Sequence, residues 1–159
     1  MDFQEACTQG HVSVIRKDLT DFPTWANGRS PQGETCLHMA SVMGQVDVIK
    51  TLLEFGADPN IRTTFERGHR QHPLSWLVLG GHVEAARLLM DNGADVNADI
   101  DWPSRGVESK ATVLDVLMDI MPKQPNIQIP EIKKYYEMKE LLLEYGAKTY
   151  SDLESLAEL

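Results

Sequence analysis

Apolar residues recur at helical spacing in short blocks along this chain, and the blocks themselves repeat. The segment Gly33-Glu34-Thr35-Cys36-Leu37-His38-Met39-Ala40 leads to Gly44, then to Leu52-Leu53-Glu54-Phe55-Gly56-Ala57-Asp58-Pro59-Asn60. Thirty-seven residues later the frame returns as His72-Pro73-Leu74-Ser75-Trp76-Leu77, Gly81-His82 and Leu88-Leu89-Met90-Asp91-Asn92-Gly93-Ala94-Asp95-Val96-Asn97. Gly44 to Gly56 and Gly81 to Gly93 are both steps of 12, so the helical part keeps a constant length. Within a block, Thr35 stands where a hydroxyl caps a helix, and Leu37 and Ala40 share one face. Gly44 and Gly81 allow tight turns between paired helices. Gly56, Gly93 and Gly146 follow Leu-rich helices, where a left-handed cap favours glycine. Each block therefore predicts two short helices. One such pair cannot bury its apolar face, and stacking supplies the core.

These two copies resemble the ankyrin repeat, a unit of about 33 residues with a β-turn and two antiparallel helices. A partial copy precedes them (Glu5-Ala6-Cys7, Gly10-His11, Val14, Ile15, Leu19). A divergent one follows (Thr112-Val113-Leu114-Asp115, then Leu141-Leu142-Leu143-Glu144-Tyr145-Gly146-Ala147). The resemblance implies an all-α fold, an ankyrin-repeat solenoid over 1–159, with repeats near 2–29, 30–62, 68–99 and 108–149. A C-terminal capping helix is expected over 151–159. Asp2 and Glu5 have capping-box spacing at one end, and Ser151 and Glu154 repeat it at the other. Leu153, Leu156 and Leu159 of that last helix are expected to cover the final repeat.

Several positions depart from the family pattern. Cys36 and Val113 replace the usual proline, His72 the capping threonine, and Ser75 the later histidine. Three connections are long: 61–71, 98–111 and 121–130. The first two would extend hairpin tips. The three prolines of the third exclude continuous helix there. Insertions of this kind carry function more often than the scaffold does.

Charge narrows the function classes. With 15 Lys and Arg against 24 Asp and Glu, the formal charge is −9. That argues against a nucleic-acid binder and against a polybasic membrane-surface protein. Residues from 91 onward hold 14 acidic against 7 basic side chains, which would steer a basic partner inward. No apolar run is long enough to span a bilayer. Met1-Asp2-Phe3-Gln4-Glu5 lacks the basic start and apolar stretch of a signal peptide. Two cysteines are too few for a disulfide framework. A cytoplasmic protein with a core thiol at Cys36 is the expectation.

Candidate chemistry is sparse. Cys36 and His38 would point apart at a helix start, and His38 is expected to bond the turn backbone. His69 and His72 offer two imidazoles without the further ligands that zinc requires. Asp95, Asn97, Asp99 and Asp101 alternate as in a calcium loop, but the places that need glycine and glutamate hold Ile100 and Gly106. Asn60 and Asn97 resemble asparagines that are hydroxylated in some members of the family. No catalytic residue, cofactor or metal ligand is expected.

What remains is recognition. In the family, the variable ends of the first helices line a concave groove, and the hairpin tips rim it. Here the groove would hold Val42, Met43, Leu79, Asp119 and Ile120. Gln32, Glu34, Arg62, Arg67, His69, Arg70, Gln71, Glu108 and Ser109 would lie along the rim. Trp102, with Asp99, Asp101 and Arg105, adds an aromatic and arginine anchor set of the kind that dominates interfaces. The expectation is a non-catalytic module, a monomer on its own, that binds another protein of basic character. An inhibitor or immunity-type protein and a secreted host-directed effector are narrower alternatives. An enzyme built on the insertions and an assembly cap are the rivals.

Overall fold

The computed structural model describes residues 1–64, 70–102, 109–121 and 130–157. Helices come in antiparallel pairs: α1 (Phe3–Gln9) with α2 (Val12–Asp21), α3 (Cys36–Met43) with α4 (Val46–Glu54), and α5 (Pro73–Gly80) with α6 (Val83–Asp91). The fourth pair is α7 (Val113–Ile120) with α8 (Pro130–Glu144), and α9 (Tyr150–Ala157) follows. A 3-10 turn over Pro23–Asn27 follows α2. α1, α3, α5 and α7 stack as an inner layer, and α2, α4, α6 and α8 as an outer one.

The reason is the placement of apolar side chains. Leu37, Ala40, Leu74, Leu77, Leu114 and Leu117 of the inner helices meet Ile49, Leu52, Ala86, Leu89 and Leu142 of the outer ones in one continuous core. Each helix is too short to persist alone, so the packing between hairpins holds it. Small side chains keep the hairpins close. His82 shows how close: its ring lies over the preceding turn, and a Cβ at Gly44 (φ +65°) would sit 2.3 Å from it.

Polar groups also tie one repeat to the next. Asn27 donates to the Gly56 carbonyl (2.9 Å) and accepts from Asp58 N–H (2.7 Å). Asn60 does the same with Gly93 (2.9 Å) and Asp95 (2.7 Å), and Asn97 with Gly146 (3.2 Å) and Lys148 (2.8 Å). The asparagines that sequence reading singled out for modification are thus structural clamps. Replacing Asn60 by alanine removes both bonds of the central clamp. The expected loss is about 1–2 kcal/mol, read from the urea midpoint at constant slope. A loss near zero would show that water replaces the clamp without penalty.

Two expectations are corrected. Cys36 is not a free core thiol: it is disulfide-bonded to Cys7, with their Cα atoms 5.4 Å apart. The cysteines lie 29 residues apart on α1 and at the first position of α3, and only stacking brings them together. The last helix is also capped differently. Thr149 and Asp152 form its reciprocal cap, Thr149 Oγ1 donating to Asp152 at 2.6 Å, two residues before the expected Ser151. No residue of α9 is buried, and Leu156 is 52% exposed. Leu159 lies outside the described residues. Met118 and Leu143 stand 48% and 51% exposed, whereas their counterparts in the preceding repeats, Val78 and Met90, are buried beneath the next hairpin.

Candidate protein-binding face

The inner helices end on one side of the stack, and the apolar side chains at those ends stay uncovered. Val42 and Met43 of α3 are 47% and 55% exposed, and Ile120 of α7 is 36% exposed. Asp119 is exposed beside Ile120, and Leu79 of α5 is half-buried. Two groups from α8 reach across to this end of α5. Tyr135 Oη donates to the Leu79 carbonyl (3.1 Å), and Lys134 Nζ donates to the Gly80 carbonyl (2.9 Å). α8 thus helps wall this face.

The finger between α6 and α7 is a built element. β1 (Ile100–Asp101) pairs antiparallel with β2 (Lys110–Ala111). Ser109 and Trp102 continue the pairing, the Trp102 N–H donating to Ser109 O at 3.0 Å and Ser109 Oγ returning to Trp102 O at 2.8 Å. Ile100, Ala111 and Val116 form a small second core, against which Leu79 and Trp102 pack. The Trp102 indole N–H donates to Asp119 Oδ2 (3.0 Å), fixing the ring against α7.

Much of the charge expected at the rim is spent inside the molecule. Arg62 donates to the Asp99 carbonyl, to Asp99 Oδ1 (3.2 Å) and to the Arg70 carbonyl (3.1 Å). Lys110 Nζ lies 3.1 Å from Asp99 and 2.6 Å from Asp101. Burial by itself would raise the Asp99 carboxyl, but the Lys110 hydrogen bond and the charges of Arg62, Lys110 and Arg70 outweigh it and hold it below the ordinary value. Gln71 is 3% exposed, so its side chain does not reach the rim. Its carbonyl instead accepts from Thr63 N–H (2.9 Å) at the finger base. Gln32 and Arg70 are exposed and Glu34 is half-buried. Arg67, His69, Arg105 and Glu108 lie outside the described residues.

Two histidines beneath the fingers are buried. His38 Nδ1 accepts from Thr35 N–H (3.2 Å), which leaves its Nε2–H to donate to the Gln71 carbonyl (3.3 Å). His72 caps α5 without a side-chain bond, and Ser75 Oγ donates back to its carbonyl (2.7 Å). Desolvation lowers both imidazoles to about 4. Among the described residues, no three His, Cys, Asp or Glu side chains converge as metal ligands. No described helix is long and apolar enough to cross a membrane.

Sequence reading missed an exposed aromatic group at the first hairpin. Phe22 stacks on Trp25 (centroids 4.7 Å apart), and Phe3 tilts against it at 5.4 Å. Their spacing in the sequence carried no period that would have marked them.

Comparison with known proteins agrees with this architecture. The family model for the ankyrin repeat matches residues 32–64 and 69–100. The chain is similar to Notch-regulated ankyrin repeat-containing protein A of Danio rerio, 30% identical over 55% of this chain and 78% of that one. It is similar to putative ankyrin repeat protein L371 of Acanthamoeba polyphaga mimivirus, 32% identical over 55% of this chain and 12% of that protein. It is also 46% identical, over 33% of its length, to 12% of serine/threonine-protein kinase VIK of Arabidopsis thaliana. The chain thus spans about an eighth of the length of the last two. Ankyrin repeats generally mediate protein–protein interaction and are generally non-catalytic. The paired helices, the fingers between them and these matches agree, and the chain belongs to the ankyrin repeat family.

Proposed function

We propose that this protein is a non-catalytic, monomeric binding module of the cytoplasm, and that it holds a basic partner protein on the face formed by the ends of α3, α5 and α7. The observation that carries this is the set of uncovered apolar side chains at the ends of the inner helices, Val42 and Met43 on α3 and Ile120 on α7, with half-buried Leu79 of α5 between them. Exposed apolar groups grouped on one face mark interaction surfaces. Trp102 and Asp119 extend the face with a fixed ring and a carboxylate. The net charge of −9 favours a positively charged partner and speeds encounter at low salt.

The test compares wild type with a Val42→Lys, Met43→Lys variant in capture from native extract, followed by titration of the captured partner. The variant should keep its helical spectrum and thermal midpoint, because both side chains are exposed. Its affinity should fall about tenfold or more, the scale expected when a contributing interface residue is lost. Affinity for wild type should drop as salt rises. Equal affinity of the two proteins would remove the face from consideration. If the partner is an enzyme whose activity the wild type abolishes, the narrower reading of an inhibitor follows. Several weak partners would point to a scaffold.

A further inference from the structure

The Cys7–Cys36 disulfide sits at the junction that holds the first hairpin to the second, and Cys36 borders a cavity there. We propose that the pair is a thiol–disulfide exchange site for a low-molecular-weight thiol of the glutathione class. Its oxidation state would decide whether the first hairpin is locked to the stack.

Three observations carry the proposal. A cavity of about 550 Å³ opens beside the pair, lined by Met1, Phe3, Asp18, Trp25, Arg29 and Cys36, but not by Cys7. Cys7 itself is 0% exposed. Both cysteines are buried, Cys36 being 3% exposed, and Cys36 alone of the two borders the cavity, so access for a small thiol is from the Cys36 side. Cys36 also occupies the first position of α3, where the helix N-terminus favours a thiolate. Finally, the cross-link encloses α2 and the following 3-10 turn, so it staples the whole end hairpin.

The chemistry balances in either direction. For reduction, a small thiolate attacks Cys36 Sγ. The protein S–S bond breaks, Cys7 leaves as a thiolate and takes up a proton, and a mixed disulfide remains on Cys36. A second small thiol displaces Cys36 and leaves as the small disulfide, so two electrons reach the protein. For oxidation, the Cys36 thiolate attacks the small disulfide and releases one small thiol. Cys7, as thiolate, then attacks Cys36 Sγ and releases the second.

The consequence reaches α3, one of the helices that carry the proposed face. α1 packs on α3, Gln45 Nε2 donates to the Thr8 carbonyl (2.7 Å), and Thr8 Oγ1 lies 3.6 Å from Met39 Sδ. Apart from the disulfide, the hairpin is held by apolar side chains that include Ala6, Ile15 and Leu19, by the Asn27 clamp and by the Arg16–Glu54 ion pair (2.7 Å), which is half-exposed and weak. An end repeat, with a neighbour on one side alone, opens locally before the rest unfolds.

The experiment equilibrates the full chain in mixtures of reduced and oxidised glutathione. Peptide mapping reads the cysteines, and hydrogen exchange reads the helices. Oxidised wild type should give the Cys7–Cys36 cross-linked peptide. On reduction, exchange in residues 3–21 should accelerate about tenfold or more, while α4 and α6 change by less than about twofold. Cys7→Ser should retain one glutathionyl group on Cys36, whereas Cys36→Ser should retain none on Cys7. Equal labelling of the two variants, no labelling of Cys7→Ser, or unchanged exchange in the wild type on reduction would each overturn the proposal. The wild-type exchange measurement requires neither variant to fold.

Discussion

Lowering the pH from 7 to 5 should destabilise this protein by about 2 kcal/mol for each of two buried histidines. In the unfolded chain, His38 and His72 take up a proton near their ordinary value of 6.5, but in the fold only near 4. Above pH 6.5 both are neutral in both states and contribute nothing to the pH dependence. As pH falls below 6.5, the unfolded chain gains protons that the fold refuses, and stability drops until about pH 4. Desolvation is the main cause in both. Around His38, the Gln71 and Ile61 carbonyls oppose it and the Arg29 charge adds to it. Around His72, the Arg62 charge adds to it, while the Ala98 carbonyl and Asp95 oppose it.

The two shifted carboxylates do not imitate this window. Asp99 and Asp152 are held below their ordinary 3.8, so their contribution is lost only at lower pH. The check is the urea midpoint at pH 7 and pH 5 for wild type and for His72→Thr, which installs the residue usual at that place in the family. The variant should lose about half of the pH dependence, about 2 kcal/mol. An undiminished pH dependence in the variant would exclude His72 as its source.

Replacing Leu74 by alanine should cost about 3–5 kcal/mol, a large part of the roughly 5–15 kcal/mol that holds a domain of this size. Leu74 is fully buried in α5, which is packed between α3 and α7. A cavity there weakens the contact with both neighbours, and a solenoid has no other route to transmit stability across the middle of the stack. Chemical denaturation should show a lower midpoint. A change in slope would mean that the two halves had begun to unfold separately. A loss below about 1 kcal/mol would show that the stack closes around the deletion.

The repeat was legible because apolar blocks and glycines recur at a fixed length. Leu37 and Ala40, Leu74 and Leu77, and Leu52 and Leu89 mark the buried faces by their spacing alone, and the glycines mark where helices stop. The exposed helix-end positions Val42, Met43 and Ile120 could be located for the same reason, since they follow the buried positions of their repeats at a constant offset. At the rim the structure adds contacts that no spacing shows. Gln71 is polar and lies beside a long insertion, yet its place at the finger base buries it. Arg62, Asp99 and Asp101 read as charges open to a partner, but a hairpin of two-residue strands brings them together with Lys110.

By itself, then, the amino-acid order determined the helices, their pairing and the direction of stacking, because each depends on residues within one repeat of each other. The tertiary structure decided everything that joins one repeat to the next. It set the asparagine clamps, the neutral buried histidines, the covering of Trp102 by Asp119, and the link between Cys7 and Cys36. Those contacts depend on how far one hairpin is displaced and turned against another. That geometry comes from the packed core as a whole and has no local period in the chain.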